Sequence, residues 1–118
     1  MLPRDGRVRL NGYAIVSTVM EEPTRQEIDA LAEPIVLEFG ASWCGYCQAA
    51  RADIASVMKN HPTVRHIKVE DGKGKPLGRS FRVKLWPTLV YVERGVEKAR
   101  VVRPETPQAI EAIFTTQN

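Results

Sequence analysis

The chain has 118 residues, enough for one compact domain with a real core and too few to call for a linker and a second domain. A hydrophobic fraction of 43% and a charged fraction of 26% are ordinary for a globular protein, and no apolar run approaches the roughly eighteen residues of a membrane-spanning helix. The net charge of +3 is spread along the chain, and its densest group, Lys73, Lys75, Arg79 and Arg82, reads as a solvated loop and helix face, which argues against a nucleic-acid partner.

Residues 1–12, rich in Arg, Gly and Pro, read as a flexible N-terminal arm, and 13–118 as a single domain. Met1 to Arg7 mixes charges with Gly and Pro breakers and leads into no apolar core of signal-peptide length, so the expected location is the cytoplasm; a removed leader would make it the periplasm. Tyr13 to Val19, apolar and β-branched, predicts a first strand. Thr24-Arg25-Gln26-Glu27 has capping-box spacing and predicts a short helix from about Arg25 to Ala32, stopped before Pro34. Ile35 to Phe39 reads as a strand buried on both faces. The cysteines then open a second helix, with Ala50, Ile54, Val57 and Met58 at helical spacing, and Asn60-His61-Pro62 ends it.

Val64 to Val69 alternates as a third strand should, Asp71 to Pro76 is a loop by composition, and Leu77 to Arg82 predicts a short helix. Thr88 to Val92 is a strong strand, Arg94-Gly95 a tight turn, and Val96 to Val102 its hairpin partner. Thr106-Pro107 caps a last helix, with Ala109, Ile110, Ile113 and Phe114 facing inward. The order βαβαβαββα implies an α/β domain, a mixed five-stranded central sheet with helices on both faces.

The only two cysteines, Cys44 and Cys47, are two residues apart where a strand feeds a helix, which excludes a disulfide framework and points to thiol–disulfide chemistry. The first N–H groups of the helix and the positive end of its dipole favour thiolate at Cys44. Lowering a thiol pKa from about 8.5 to about 7 raises the thiolate fraction at neutral pH from roughly 3% to about 50%. The steadier thiolate is also a poorer nucleophile, so the net gain is about threefold, and the larger effect is on leaving-group ability and redox poise. Cys44, exposed beside Trp43, is the expected nucleophile. Cys47, one turn in and more sheltered, is the expected resolving thiol. Glu38, a carboxylate among apolar neighbours, needs a reason, because burying it unpartnered costs several kcal/mol or forces protonation.

The string Val36-Leu37-Glu38-Phe39-Gly40-Ala41-Ser42-Trp43-Cys44-Gly45-Tyr46-Cys47, followed by Trp86-Pro87-Thr88, resembles the thioredoxin superfamily. A lone CxxC is a weak signal; a Trp before the first Cys, an acidic residue six before it and a later Pro-Thr opening an apolar strand make it fairly specific. The resemblance implies the thioredoxin fold and a protein disulfide oxidoreductase that needs no cofactor beyond a redox-active Cys44–Cys47 disulfide. Its partners would be protein disulfide or dithiol substrates and a thiol reductase, with no nucleic acid, no membrane and a monomeric state. By the same resemblance Glu38 exchanges a proton with Cys47, Lys68 is its neighbouring lysine, and Trp86-Pro87 is a cis-proline loop. There the backbone of Trp86 would pair with an extended substrate segment, with Trp43, Gly45, Tyr46 and Pro87 completing the binding surface.

Four residues depart from the family pattern. Glu38 stands for the usual Asp, Trp86 for the usual Ile, and Arg103 falls near a small glycine beside the substrate groove. The Gly45-Tyr46 spacer replaces Gly-Pro and is similar to that of bacterial disulfide isomerases. Two rival readings accompany the oxidoreductase. One is a thioredoxin-fold interaction module that binds a partner through Trp43, Tyr46, Trp86 and Pro87. The other is a zinc-binding module through Cys44, Cys47, His61 and His66, opposed by Pro62, which follows His61, and by the strand pattern around His66.

Overall fold

A computed structural model of the chain describes residues 22–115. Four helices and four strands alternate as α1 (Arg25–Asp29), β1 (Ile35–Gly40), α2 (Gly45–Lys59), β2 (Arg65–Glu70), α3 (Pro76–Ser80), β3 (Thr88–Glu93), β4 (Val96–Val102) and α4 (Pro107–Glu111), the last running on as a 3-10 turn over Ala112–Phe114. The predicted arm and the strand expected at Tyr13 to Val19 lie outside the described residues. Within those residues the sheet is therefore four-stranded, in the order β2-β1-β3-β4. It is mixed: β1 pairs parallel with β2 and antiparallel with β3, and β3 pairs antiparallel with β4.

Strand β1 organises the core because its alternating side chains serve both faces. Ile35, Leu37 and Phe39 pack with Ile28 of α1, Leu77 of α3, Phe81, Val69, Val90 and Val92. Val36 faces the other way, into Ala50, Ile54 and Val57 of α2, Leu89 and Tyr91 of β3, and Ile110 and Ile113 at the C-terminus. Helices thus cover both faces, α1 and α3 on one and α2 and α4 on the other, and Glu38 lies on the α2 face with Val36.

Local chemistry sets the element ends. Thr24 and Glu27 form the expected capping box, at 3.0 and 2.9 Å, yet α1 stops at Asp29, short of Ala32. Pro34 disfavours helical backbone at Glu33, and the chain must be extended by Ile35. Helix α3 ends at Ser80 and not Arg82, because Arg82 adopts a left-handed φ of 58° and the Val83 N–H turns back to the Gly78 carbonyl at 2.9 Å. The β3–β4 hairpin closes on Arg94 and Gly95, with φ of 52° and 79°. A Cβ at Gly95 would also meet the Asp29 carbonyl oxygen at 2.5 Å. No helix among the described residues is long and apolar enough to cross a membrane.

Candidate active site

The site forms where β1 hands over to α2. Cys44 is the N-cap of α2, with extended backbone, and its Sγ accepts the Cys47 N–H at 3.3 Å. A helix N-cap needs an acceptor for the free N–H groups of its first turn, and here a sulfur takes that place. The loop before it is tied by the Gln48 side chain, which donates to the Ser42 carbonyl at 2.9 Å.

Both cysteines are free thiols and both are buried, Cys44 at 6% exposure and Cys47 at 9%. The expectation that Cys44 stands exposed beside Trp43 is therefore corrected. Trp86 packs on the Ala41, Cys44 and Cys47 cluster and covers it, whereas Trp43 and Tyr46 remain open at 71% and 60%. Gly40 makes the packing possible: a Cβ there would lie 2.9 Å from the Cys47 sulfur.

The two thiols differ in acidity. Burial pushes Cys44 up, but the hydrogen bond from the Cys47 thiol, the N–H groups of Cys47 and Tyr46 and the charge of Arg103 outweigh it, leaving Cys44 below the ordinary thiol value. Cys47 is pushed up to about 11 by burial first, then by its hydrogen bond to Cys44 and by the charges of Cys44 and Glu38. The two sulfurs are thus set apart in a fixed sense, with Cys44 the more acidic and Cys47 the donor of the hydrogen bond between them.

Glu38 does have a partner. Its side chain is 14% exposed, and Oε1 lies 2.7 Å from Nε2 of His66, a ring that is itself 23% exposed. Lys68 stands directly across from Glu38 in the parallel register and is exposed. His61 is elsewhere: its Nε2 lies 2.8 Å from Glu111 Oε1 and its ring stacks on Phe114 at 3.9 Å. The four candidate zinc ligands are thus not brought together, and the described residues hold no group of three or more His, Cys, Asp or Glu with metal-binding geometry.

Opposite the thiols, the Trp86–Pro87 peptide is cis. The Trp86 indole meets Trp43 edge-on, with centroids 5.5 Å apart, and its Nε1 donates to Asp71 Oδ2 at 2.9 Å. Asp71 is buried, and its own N–H donates to the Gly40 carbonyl at 2.8 Å. One aspartate therefore links the end of β1, beside Cys47, to the ring that covers the thiols. Nothing local in the sequence marks Asp71, since composition assigns it to a loop; only a half-buried indole N–H in need of an acceptor signals it. Gly45 opens α2 in free space, and Pro87 is buried.

A buried, unequal dithiol capping a helix, beside a cis-proline loop on a mixed sheet with helices on both faces, defines a thioredoxin-fold dithiol protein. The family model described as thioredoxin matches residues 15–116, and the chain belongs to the thioredoxin family. Thioredoxin 2 from Pseudomonas aeruginosa PAO1, solved in its reduced form, is 54% identical and superposes with a TM-score of 0.72 over 80% of this chain and 87% of that one. Fasciola hepatica thioredoxin is 26% identical, with a TM-score of 0.62 over 73% of this chain and 83% of that one. Thioredoxin H-type 1 of Nicotiana tabacum is 35% identical over 68 residues, 58% of this chain and 54% of that protein. The chain spans about half the length of the curated relatives it matches.

Proposed function

We propose that the protein is a thiol–disulfide oxidoreductase that reduces disulfides of protein substrates through Cys44 and Cys47 and is itself restored by a thiol reductase. The observation that carries this reading is the divided acidity of the pair, with Cys44 held below and Cys47 raised above the ordinary thiol range. The Cys44 thiolate attacks one sulfur of a client disulfide, forms a mixed disulfide and expels the other client sulfur as a thiolate, which takes a proton. Cys44 then bears no charge, so Cys47 loses both the acceptor of its hydrogen bond and the repulsion that raised it. Forming the mixed disulfide thereby arms the resolving thiol. Cys47 gives its proton to the Glu38 carboxylate, attacks Cys44 Sγ and releases the second client sulfur as a thiolate, which takes a proton from water while Glu38 gives its own up. Two electrons pass to the client, which leaves as a dithiol, and Cys44–Cys47 becomes a disulfide.

In this reading Trp43, Gly45, Tyr46, Trp86 and Pro87 make the client surface, and Lys68 contributes a positive charge near Glu38. No cofactor is needed beyond the cysteines, and the chain acts as a monomer in the cytoplasm. The purified protein should reduce insulin disulfides with dithiothreitol as electron source, and Cys44→Ser should abolish it. A Cys44→Ser protein that kept most of its turnover would sink the assignment.

A further inference from the structure

Arg103 exchanges no atom, proton or electron in the steps above, yet its guanidinium is fixed beside them. Nε donates to the Trp86 carbonyl at 2.9 Å, and the guanidinium carbon sits 3.8 Å from the centroid of the Tyr46 ring. The backbone is pinned as well, since the Arg103 N–H donates to the Pro87 carbonyl at 2.8 Å. Its φ of 51° is left-handed, which disfavours any residue with a Cβ and suits glycine. Arg82 and Arg94 share that conformation at a helix end and a hairpin turn; Arg103 alone of the three lies against both Tyr46 and Trp86.

The clamp leaves binding capacity unused. Nε is committed to Trp86, while the two Nη groups meet no carboxylate among the described residues, although Asp53 and Glu105 line the same cleft of about 520 Å³. A planar guanidinium held by a ring face and a carbonyl has lost little freedom still to lose, and its remaining edge suits a carboxylate. The same charge is felt at the Cys44 sulfur, so whatever meets Arg103 sits close to the reacting bond. Asp53 and Glu105 line the same cleft, so a second client carboxylate there meets like charge and, among the described residues that line it, no second cation.

We infer that Arg103 is a specificity-determining residue that selects client disulfides carrying a single carboxylate side chain next to the cysteine that Cys44 attacks. This rests on the proposed exchange reaction and names its substrate class.

The test uses pre-reduced protein and three disulfide peptides that differ only in the residue beside the attacked cysteine, Asp, Asn or Lys, with single-turnover reduction rates compared. The expected order is Asp above Asn above Lys, with an Asp-to-Lys ratio of about tenfold that shrinks in high salt. In Arg103→Gln and in Arg103→Gly, whose backbone is freed of the left-handed penalty, the ratio should fall to within about twofold of unity. Losing the charge also changes Cys44 reactivity, but that change is common to all three peptides and cancels in the ratio. Equal rates in the parent protein, or a preference that survives both substitutions, overturn the role of Arg103 while leaving exchange intact. If the parent protein reduces none of the peptides, the exchange reading itself fails.

Discussion

Nε2 of His66 lies 2.7 Å from Oε1 of Glu38, so the carboxylate whose charge helps raise the Cys47 thiol is held by a ring from the neighbouring parallel strand. The ring is the more open of the two, so in the proposed exchange a proton passed from Cys47 to Glu38 would have a route outward through the imidazole. Glu38→Gln keeps the size and a hydrogen-bonding group but removes the proton acceptor. Its resolution step should slow by about 10²-fold at neutral pH and rise with pH as the unassisted Cys47 thiol ionises. His66→Phe keeps the carboxylate and should slow the step less. Stopped-flow decay of a mixed disulfide across pH checks both, and an unchanged profile in Glu38→Gln would reduce it to a structural residue.

The thiol acidities make a prediction about stability with a definite sign. Cys44 titrates lower in the fold than in the unfolded chain, so its contribution grows as pH rises toward the unfolded thiol value of about 8.5. Cys47, at about 11, does the reverse: above about pH 8.5 the unfolded chain sheds that proton first, and stability falls until about pH 11. The dithiol form should therefore lose about 2–3 kcal/mol relative to the disulfide form across that alkaline window. Tyr91, pushed up to about 12 by burial and by Glu93, is common to both forms and drops out of the difference. Denaturant unfolding of the two forms from pH 7 to 10.5 measures it, and parallel curves would contradict the assignment to Cys47.

Gly40 and Gly45 flank the same motif and should respond oppositely to one added methyl. At Gly40 the new Cβ would sit 2.9 Å from the Cys47 sulfur, with the strand above fixed on both sides. At Gly45, the first residue of α2, nothing lies within 4 Å. Gly40→Ala should cost about 1–3 kcal/mol and shift the Cys47 titration, whereas Gly45→Ala should be neutral or gain up to about 1 kcal/mol. Equal melting temperatures for the two variants would show that the close approach at Gly40 relaxes freely.

What was legible in the sequence was whatever local pattern controls. The capping box at Thr24, the Arg94-Gly95 turn, the hairpin from Thr88 to Val102 and the Thr106-Pro107 cap all appear where residue chemistry puts them. The CxxC at a helix start was equally plain, because spacing and the preceding strand fix it. What escaped depends on pairings across the sheet. Glu38 meets His66 only through the parallel register of β1 on β2, and Asp71 meets Trp86 only once the loop after β2 folds under the cis-proline turn. The burial of Cys44 is hidden from local pattern for the same reason, since its cover is an indole more than forty residues away in the chain.

Asp71 is predicted to act through Trp86 and not on the thiols. Asp71→Asn can keep an oxygen toward the indole N–H, while Asp71→Leu leaves that donor buried without a partner, at a cost of about 1–3 kcal/mol. Reactivity of Cys44 toward a small thiol reagent should rise in Asp71→Leu, because a loosened Trp86 uncovers the sulfur. Asp71→Asn should stay near the parent rate. A slower reaction in Asp71→Leu would mean that the indole assists attack instead of shielding it.

Recognition and chemistry can be separated at Trp86, whose indole both covers the thiols and meets the exposed Trp43 edge-on. With the exposed Tyr46, tied to Trp86 through Arg103, these rings form an aromatic group beside Cys44, and exposed aromatic clusters of this kind mark contact surfaces. Cys47→Ser removes the resolving sulfur while retaining a hydroxyl donor, so mixed disulfides formed through Cys44 should accumulate with a restricted set of cell proteins. Adding Trp86→Ala removes the largest ring of the rim that touches the cluster. The trapped set should then change, whereas the reaction of Cys44 with a small thiol reagent should speed up through loss of cover. Mass spectrometry of the trapped proteins and a reagent-labelling rate, taken on the same two variants, give independent readouts. An identical trapped set with and without Trp86 would remove it from the recognition surface, and failure of Cys47→Ser to trap any protein would count against exchange with protein clients altogether.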